Sequence, residues 1–516
     1  MKKISLLLVL AMVLTICAAC RIDPPATSLS TQTQPNNTQT TKKVPETTAA
    51  PIDYAQSTVI LYTANVRGHV EVYSAIVAAK ESYEALGATV YLVDAGNYMQ
   101  GTAYANADMG LTIYRLMEEA GYAVAGMGVY ELVHGEAEVG YADHGDLQKF
   151  YTQAQLYRGT RTLAYQKNAP WEEEAVMVLR DAIGPADFTV ICSNLSAEEA
   201  SNDFYAFDRD VVLGETLKVG FVCGMPQDAM DYVQYGFLGG YRYKDIQAPA
   251  CDVLVALGNA KGDIVIDAPT NGQLQAGAYV IDHRSGAITM EAVDLEARND
   301  RMDQLIASLE KPQVIGLSGS VYNGSMLHNW NSQTNLGTLA ADALKWYAET
   351  HFTGLQYPVI AIQSGVNCSN FLYSGEITMT DLRNAFHGST YGVGVVYMTG
   401  AQILETLEAA TQQQNCPGWA QVSGISYTVD TSKAYDWGAA YGRYYKAASI
   451  RRVSITTEGF DPAATYAVVA DMLLLRGSDT YYVFPECRIV TRTEKGLDIC
   501  QIVALYIQQN LVGSLA

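Results

Sequence analysis

Positive charge is scarce in this chain. It holds 33 Lys and Arg against 54 Asp and Glu, a formal charge of −21 over 516 residues. Such acidity excludes non-specific binding of a nucleic-acid polymer, which needs clustered cations to displace counterions. Histidine is scarce too, at 7 residues, and the seven cysteines that follow Cys20 show no CxxC pair, so a zinc-finger-type site is not supported. No Arg occurs between Met302 and Leu382. Beyond the first twenty residues no apolar run is long enough to span a bilayer.

The N-terminus reads as a secretion signal. Lys2 and Lys3 precede an apolar run from Ile4 to Ile16, then Cys17-Ala18-Ala19-Cys20. The small residues before Cys20 resemble a bacterial lipobox, with Cys17 where an aliphatic residue is usual, and Cys20 is the expected lipidation site. Losing a leader with Lys2 and Lys3 takes the charge to −23 (−21 less two lysines). Residues 21–56 are Thr, Pro, Ser, Gln and Asn with little apolar content, a flexible tether. Residues 1–20 as lipoprotein signal and 21–56 as tether place the globular part on the extracellular face of a bacterial membrane, lipid-anchored.

The globular part is expected to be α/β. STVILYTANV, ATVYLVDAGNY, DFTVICSNLS, LKVGFVCGMP and CDVLVALGNA each run apolar and end in small or polar residues. Helical segments separate several of them, at Val70 to Leu86 and Leu111 to Ala120. This is the rhythm of a layered domain with loops at strand ends, here residues 57–300. A linking helix is expected over 301–311 and a second α/β domain over 312–516. In that domain Leu336, Leu339, Ala340, Leu344 and Tyr347 share one helical face, and Thr399 with Gln402 has capping-box spacing.

The order of segments in the second domain is specific. Thr334 to Gly337, Gln363 to Cys368, Gly375 to Leu382, Thr399-Gly400, Gln421 to Gly424 and Gly477-Ser478-Asp479-Thr480-Tyr481 follow one another over about 150 residues. The series resembles the C-terminal domain of the 5'-nucleotidase / 2',3'-cyclic phosphodiesterase family. The resemblance implies an N-terminal four-layer, calcineurin-like metallophosphatase domain with two metal ions at strand-end loops. It also implies a C-terminal domain that binds the nucleotide base between aromatic rings and the phosphate through arginines.

The resemblance fails at the residues that carry the chemistry. Where the family has Asp-x-His-Gly, this chain has Asn65-Val66-Arg67-Gly68. The bridging carboxylate position is Asn97, and Gly-Asn-His-Glu becomes Gly128-Val129-Tyr130-Glu131. The later metal-binding histidine positions fall at Asn259, Pro269 and Asn271. Amides cannot offset the charge of two divalent ions, and a guanidinium is itself a cation. No cofactor is expected; a divalent metal pair enters only with a divergent enzyme, for which His69, His134 and His144 are the nearest replacement ligands.

The nucleotide contacts change too. The family's loop Asn falls at Gln363 and its Arg at Cys368, with Gly365 between them; the stacking rings fall near Ser389 and at Leu473. Asp479 and Tyr481 are retained, and Trp330, His387 and Tyr391 are candidates for a different pocket floor. Asp479 reads equally well as a plain turn residue.

Three functions follow. The first is a membrane-tethered binding or scaffolding module, a pseudoenzyme whose ligand is a small molecule of nucleotide or nucleoside kind; its protein partners are unknown. The second is a divergent phosphoester hydrolase acting on 5'-nucleotides or cyclic nucleotides. The third is an adhesion or carbohydrate-binding module using tyrosine clusters at Tyr232 to Tyr243 and Tyr435 to Tyr445, in a chain with 35 Tyr and 11 Phe. Those clusters also suit plain tyrosine-rich hairpins.

Overall fold

The computed structural model describes residues 52–108, 110–131, 188–197, 207–226, 241–386, 392–434, 451–493 and 497–515, together with short strands at 137–140, 147–151 and 164–166 and the single residues Ala229 and Tyr232. The leader, Cys20, residues 21–51 of the tether, His134, His144, His387, Ser389, Tyr391 and the second tyrosine cluster lie outside these residues. Residues 52–56, expected as the end of the tether, belong to the globular unit instead: Tyr54–Gln56 form a helical turn, and the Tyr54 hydroxyl donates to Glu291 at 2.8 Å. Residues 52–516 form one compact unit. Among the described residues no helix is long and apolar enough to cross a membrane.

In the first half, the five apolar runs become strands. They are β1 (Ser57–Ala64), β2 (Thr89–Asp94), β4 (Thr189–Ile191), β6 (Val219–Gly224) and β7 (Val253–Gly258), with β3 (Tyr122–Gly126) between β2 and β4 and β5 (Val211–Leu213) before β6. After β7 come β8 (Ile264–Ile266), β9 (Gln275–Asp282) and β10 (Ile288–Ala292). One sheet runs β10-β9-β1-β2-β3-β4. Its β1-β2-β3-β4 part is parallel, and β9 returns antiparallel beside β1. The second sheet runs β8-β7-β6-β5. Strand alternation divides the side chains: Ile60, Val93 and Val124 face Phe221, Val255 and Leu257 between the sheets. Val59, Leu61 and Leu92 face α1 (Val72–Ala85) and α2 (Leu111–Ala120) on the other side. Helix, sheet and sheet thus stack in layers, and the central parallel strands β1 and β6 are buried on both faces.

Helix α3 (Asp300–Ser308) joins the halves; Asn299 caps it by accepting the Met302 N–H. The second half is built on a mixed sheet of β11 (Val359–Ser364), β12 (Val393–Thr399), β13 (Ala420–Ser423), β14 (Thr465–Asp471) and β15 (Ile489–Arg492), in the order β13-β11-β14-β12-β15. Helix α4 (Asn335–His351) starts where Thr334 accepts the Gly337 N–H, and lays Leu336, Leu339, Ala340 and Leu344 on one face of that sheet. Helix α5 (Met379–Ala385) lies before β12. Helix α6 (Gly400–Ala410) covers the opposite face, its start fixed by the Thr399–Gln402 capping box. The seven cysteines of the described residues are all free thiols.

Candidate functional site

The carboxyl ends of β1, β2 and β3 come together, because parallel strands point their following loops to one side. Asn65, Arg67 and Asn97 on these loops all have positive φ, at 54°, 49° and 64°. Asparagine tolerates that region; arginine rarely enters it without outside support.

The support is a polar network. The Asn97 amide donates to Asn65 Oδ1 at 2.9 Å and to the Ala268 carbonyl at 2.9 Å, with the Pro269 carbonyl at 3.5 Å. Asn97 Oδ1 accepts the Tyr130 N–H at 3.4 Å, and the Asn65 amide donates to the Gln273 carbonyl at 3.3 Å. Gly128 allows the approach, since a Cβ there would lie 2.2 Å from Asn97 Oδ1.

Beneath the amides sits Glu131, fully buried. Its carboxylate accepts four backbone N–H groups, from Asn97 (2.8 Å), Tyr98 (2.7 Å), Met99 (3.2 Å) and Gly128 (2.7 Å). Burial pushes its carboxyl up, and the four donors pull it back down. Asp94, also fully buried, accepts the Gly96 N–H at 2.7 Å and the Thr63 hydroxyl; burial holds its carboxyl well above the usual range.

Arg67 faces the second half of the chain. Its guanidinium donates to the Gln100 carbonyl and to Gln100 Oε1, both at 2.8 Å, and to the Ser374 carbonyl at 3.0 Å. It lies over the Tyr130 ring at 3.9 Å, a cation–π contact. Burial lowers its pKa, opposed by Tyr130 and Glu131. The contact continues along 374–380. Gln100 donates to the Ser374 carbonyl at 3.1 Å, the Glu376 N–H to the Gly101 carbonyl at 2.8 Å, and the Ala103 N–H to the Glu376 carboxylate at 2.6 Å. Asn106 donates to the Glu376 carbonyl at 2.7 Å and Thr380 to the Ala107 carbonyl at 2.9 Å. Gly375, with φ 122°, is obligatory here: a Cβ would lie 2.3 Å from the Gly101 oxygen.

Sequence reasoning named Asn65, Arg67, Asn97, Val129, Tyr130, Asn259, Pro269 and Asn271 as the positions of a lost metal centre. The fold gathers the first five and Pro269. Asn259 and Asn271 are exposed and make none of the contacts above. His69 is exposed as well. Among the described residues no group of three His, Cys, Asp or Glu is placed to hold a metal. The residues at these positions do not fit a pair of divalent ions: the amide oxygens are committed to N–H donors, and a buried guanidinium stands at the interface. Gln100, Glu131 and Gly375 were read from the sequence as frame residues of their motifs and not as site residues, and Ser374 was not read at all. Those frames offered the only signal.

A second cluster lies in the other half, around the turn 416–419. The Cys416 N–H donates to the Trp330 carbonyl, the Gly365 N–H to the Trp419 carbonyl, and the Tyr481 hydroxyl to the Gly418 carbonyl at 2.7 Å. Asp471, at the end of β14, caps the next helical turn through the Leu473 and Leu474 N–H groups (2.7 and 2.9 Å) and accepts the Asn367 amide at 2.7 Å. The Ser364 hydroxyl faces the Asp479 carboxyl. Burial raises both carboxyls, and Asp471 adds like-charge repulsion at Asp479.

Gln363 is fully buried beside the Asp471 carboxyl, which its amide helps to hold down. The Trp330 indole N–H and the Ser478 and Thr480 hydroxyls are buried without partners. Asp479 and Thr480 are consecutive non-glycine residues at φ 54° and 80°. For a β-branched threonine this is an outlier that the surroundings must enforce.

The remaining sequence candidates divide. Cys368 is buried in the core beneath α4, its thiol pushed up to about 12 by burial, so its side chain faces away from this cluster's polar groups. Tyr481 is fully buried and stacks with Phe484 at 5.8 Å, a structural placement. Gly365 packs against the Asn329 carbonyl. Gln363 lies beside Asp471, and Asp471 repels Asp479; the Trp330 carbonyl meets the nearby turn at Cys416. Asn367 and Asp471 join this cluster and were not read from the sequence.

Residues 309–486 match the family described as 5'-nucleotidase, C-terminal domain. No curated protein matches the chain. The solved structures similar to it include the following three. The 5'-nucleotidase precursor from Thermus thermophilus is 18% identical, over 89% of this chain and 97% of its own, with a TM-score of 0.39. The 5'-nucleotidase from Candida albicans is 11% identical, over 87% and 97%, with a TM-score of 0.36. The calcineurin-like phosphoesterase YfkN from Bacillus subtilis is 12% identical, over 49% of this chain and 96% of its own, with a TM-score of 0.30. Over residues 309–486, where the ordered motifs pointed, the chain carries a 5'-nucleotidase C-terminal domain.

Proposed function

We propose that this protein is an extracellular, membrane-tethered binding module of 5'-nucleotidase fold, in which the family's metal-dependent hydrolysis has been given up. One observation carries the reading. The loops that would hold the metals are closed by an Asn65–Asn97 amide pair and by Arg67, whose guanidinium is shared between Gln100, Tyr130 and the Ser374 carbonyl. A guanidinium supplies positive charge but cannot lower the pKa of a bound water to make hydroxide, which is what a metal does in such a site. The contacts from Arg67 to Thr380 hold the two halves in one arrangement. The binding site of this reading is the cluster at Gln363, Asp471 and Asp479. In this reading lipidation at Cys20 and the tether would hold the module outside the cell membrane; labelling with radioactive palmitate, lost on Cys20→Ser, tests that part.

Phosphate release tests the absence of hydrolysis. The full chain is supplied with a panel of mononucleotides and excess manganese, cobalt, zinc or magnesium. The reading expects no turnover from folded protein with any metal. Metal-dependent release would establish the second reading, a divergent phosphoester hydrolase, and would direct attention to His69, His134 and His144. Residues 435–445 lie outside the described structure, so no observation favours the adhesion reading.

A further inference from the structure

One outer strand of the first sheet is left open in a way that the other sheet edges are not. We infer that two copies of this chain associate through it, β10 pairing antiparallel with β10 of a second copy about a two-fold axis at Met290. The inference goes beyond the binding-module reading and does not depend on it.

An edge strand presents backbone N–H and C=O groups without partners, and proteins blunt such edges with short length, bulges, proline or charge. The edges here are treated in that way, with one exception. Strands β4, β5 and β8 are three residues each. Strand β13 is buried from Ala420 to Val422. Strand β15 follows an exposed Arg488 and ends in an exposed Arg492, and its ladder with β12 is broken between Val395 and Val396. Strand β10 is five residues long and pairs with β9 in unbroken register. It holds no Lys, Arg or Pro, and all its residues but Glu291 are exposed. Among the described residues no segment pairs with its outer edge.

Register divides its side chains between the two faces. Thr289 and Glu291 lie opposite Val280 and Ala278, on the helix side. Glu291, the only charge of the strand, is held on that side by the Tyr54 and Tyr83 hydroxyls, both at 2.8 Å. Ile288, Met290 and Ala292 lie opposite Ile281, Tyr279 and Gly277 on the other face. They form an apolar ledge beside the open backbone, with Met290 60% exposed and Ile288 39%. The occupant this edge fits is an extended strand with apolar side chains at alternate positions.

A second copy of β10 meets that demand. With Met290 against Met290 of the second copy, Ile288 falls opposite Ala292 and Thr289 opposite Glu291, so two glutamates never face each other. The turn bearing Arg284 then lies beside Asp294 and Glu296 of the second copy, opposite in charge. The chain's own tether does not meet the demand: residues 21–51 hold Pro24, Pro25, Pro35, Pro45 and Pro51, which cannot donate to a ladder. The axis of such a pair stands perpendicular to the sheet, so Tyr54 lies on the same side in both copies. Two tethered chains therefore pair without either being inverted.

Sedimentation velocity of the full chain over a concentration series tests the inference, with Cys20→Ser in every sample so that no lipid joins two copies. A monomer–dimer equilibrium is expected, tightening with salt because each copy carries a formal charge of −21. Met290→Lys sets two ammonium groups across the axis and is expected to weaken the dimer roughly tenfold or more, with the melting temperature unchanged. Val490→Lys on β15 is expected to leave the dimer as it is. Under oxidised glutathione, Met290→Cys is expected to give a disulfide-linked dimer, and Thr289→Cys is not, since it faces Glu291. A monomer at every concentration, whether the edge is bare or covered by the chain's own tether, would overturn the inference. So would a dimer that Met290→Lys leaves intact, or equal cross-linking by both cysteines. The phosphate-release assay bears on the binding-module reading alone.

Discussion

Two polar clusters sit at strand ends in this molecule, and they differ in what is left over. In the first half Asn65, Asn97, Asp94 and Glu131 are each hydrogen-bonded within the protein, and Arg67 spends its Nε and Nη2 donors on Gln100 and Ser374. In the second half Asp471 is satisfied by the Asn367 amide and by the Leu473 and Leu474 N–H groups, with Gln363 beside it, and it repels Asp479. The Ser478 and Thr480 hydroxyls of that turn are buried without partners. The first cluster is thus a hydrogen-bonded seam between the halves, and the second a strained turn that carries paired carboxyls.

The largest expected effect breaks the first cluster. Glu131→Ala would strand four buried N–H groups, and its cost should reach about 3 kcal/mol or more in urea unfolding. Arg67→Ala removes a buried cation–π contact and the direct tie to Ser374, and should cost about 2–3 kcal/mol. Its more telling readout is amide hydrogen exchange. Protection should fall at 100–106 and 374–380 together, whereas a purely local role would leave 374–380 unchanged.

Acidity sharpens the same comparison at the junction. Burial lifts the Asp381 carboxyl to about 6 from an ordinary 3.8. A carboxyl raised in the fold contributes its stability below the unfolded value and loses it as the pH climbs through the folded one. The penalty therefore sets in between about pH 4 and pH 6, up to about 3 kcal/mol. Asp381→Asn should narrow the stability difference between pH 4.5 and pH 7, measured by denaturant melts at both. The smallest effect belongs to the second cluster. Thr480→Gly should stabilise the free protein by about 0.5–1 kcal/mol, because glycine occupies φ 80° without strain. It should also weaken ligand binding, since it loosens the neighbour of Asp479.

Much of the fold was legible in the sequence. Helix α2 occupies the residues expected for it, the Thr399–Gln402 pair caps its helix as the spacing required, and the apolar runs became buried strands. Glycines with positive φ, such as Gly68, Gly96 and Gly101, marked the loops because their backbone conformation is demanded by the fold whatever the chemistry. The sites were legible only in part. That Asn97 would meet Asn65 followed from loop order, but Glu131 binds N–H groups some thirty residues away, and nothing local announces it. The seam from Arg67 to Ser374 crosses about 300 residues of chain, beyond any spacing rule. Cys368 and Gln363 lie five residues apart in one segment, yet one side chain enters the core and the other a polar cluster. Past the end of a strand, alternation no longer says which way a side chain turns.

The most direct test of the central claim is the metal content of the full chain. Folded protein would be incubated with excess manganese, dialysed, and analysed by plasma emission, with Arg67→His and Asn97→Asp together as a comparison. The account predicts no stoichiometric manganese on the natural sequence, because its amides and guanidinium already close the loops. Two manganese ions per chain, held through dialysis and lost on changing His69, would contradict it.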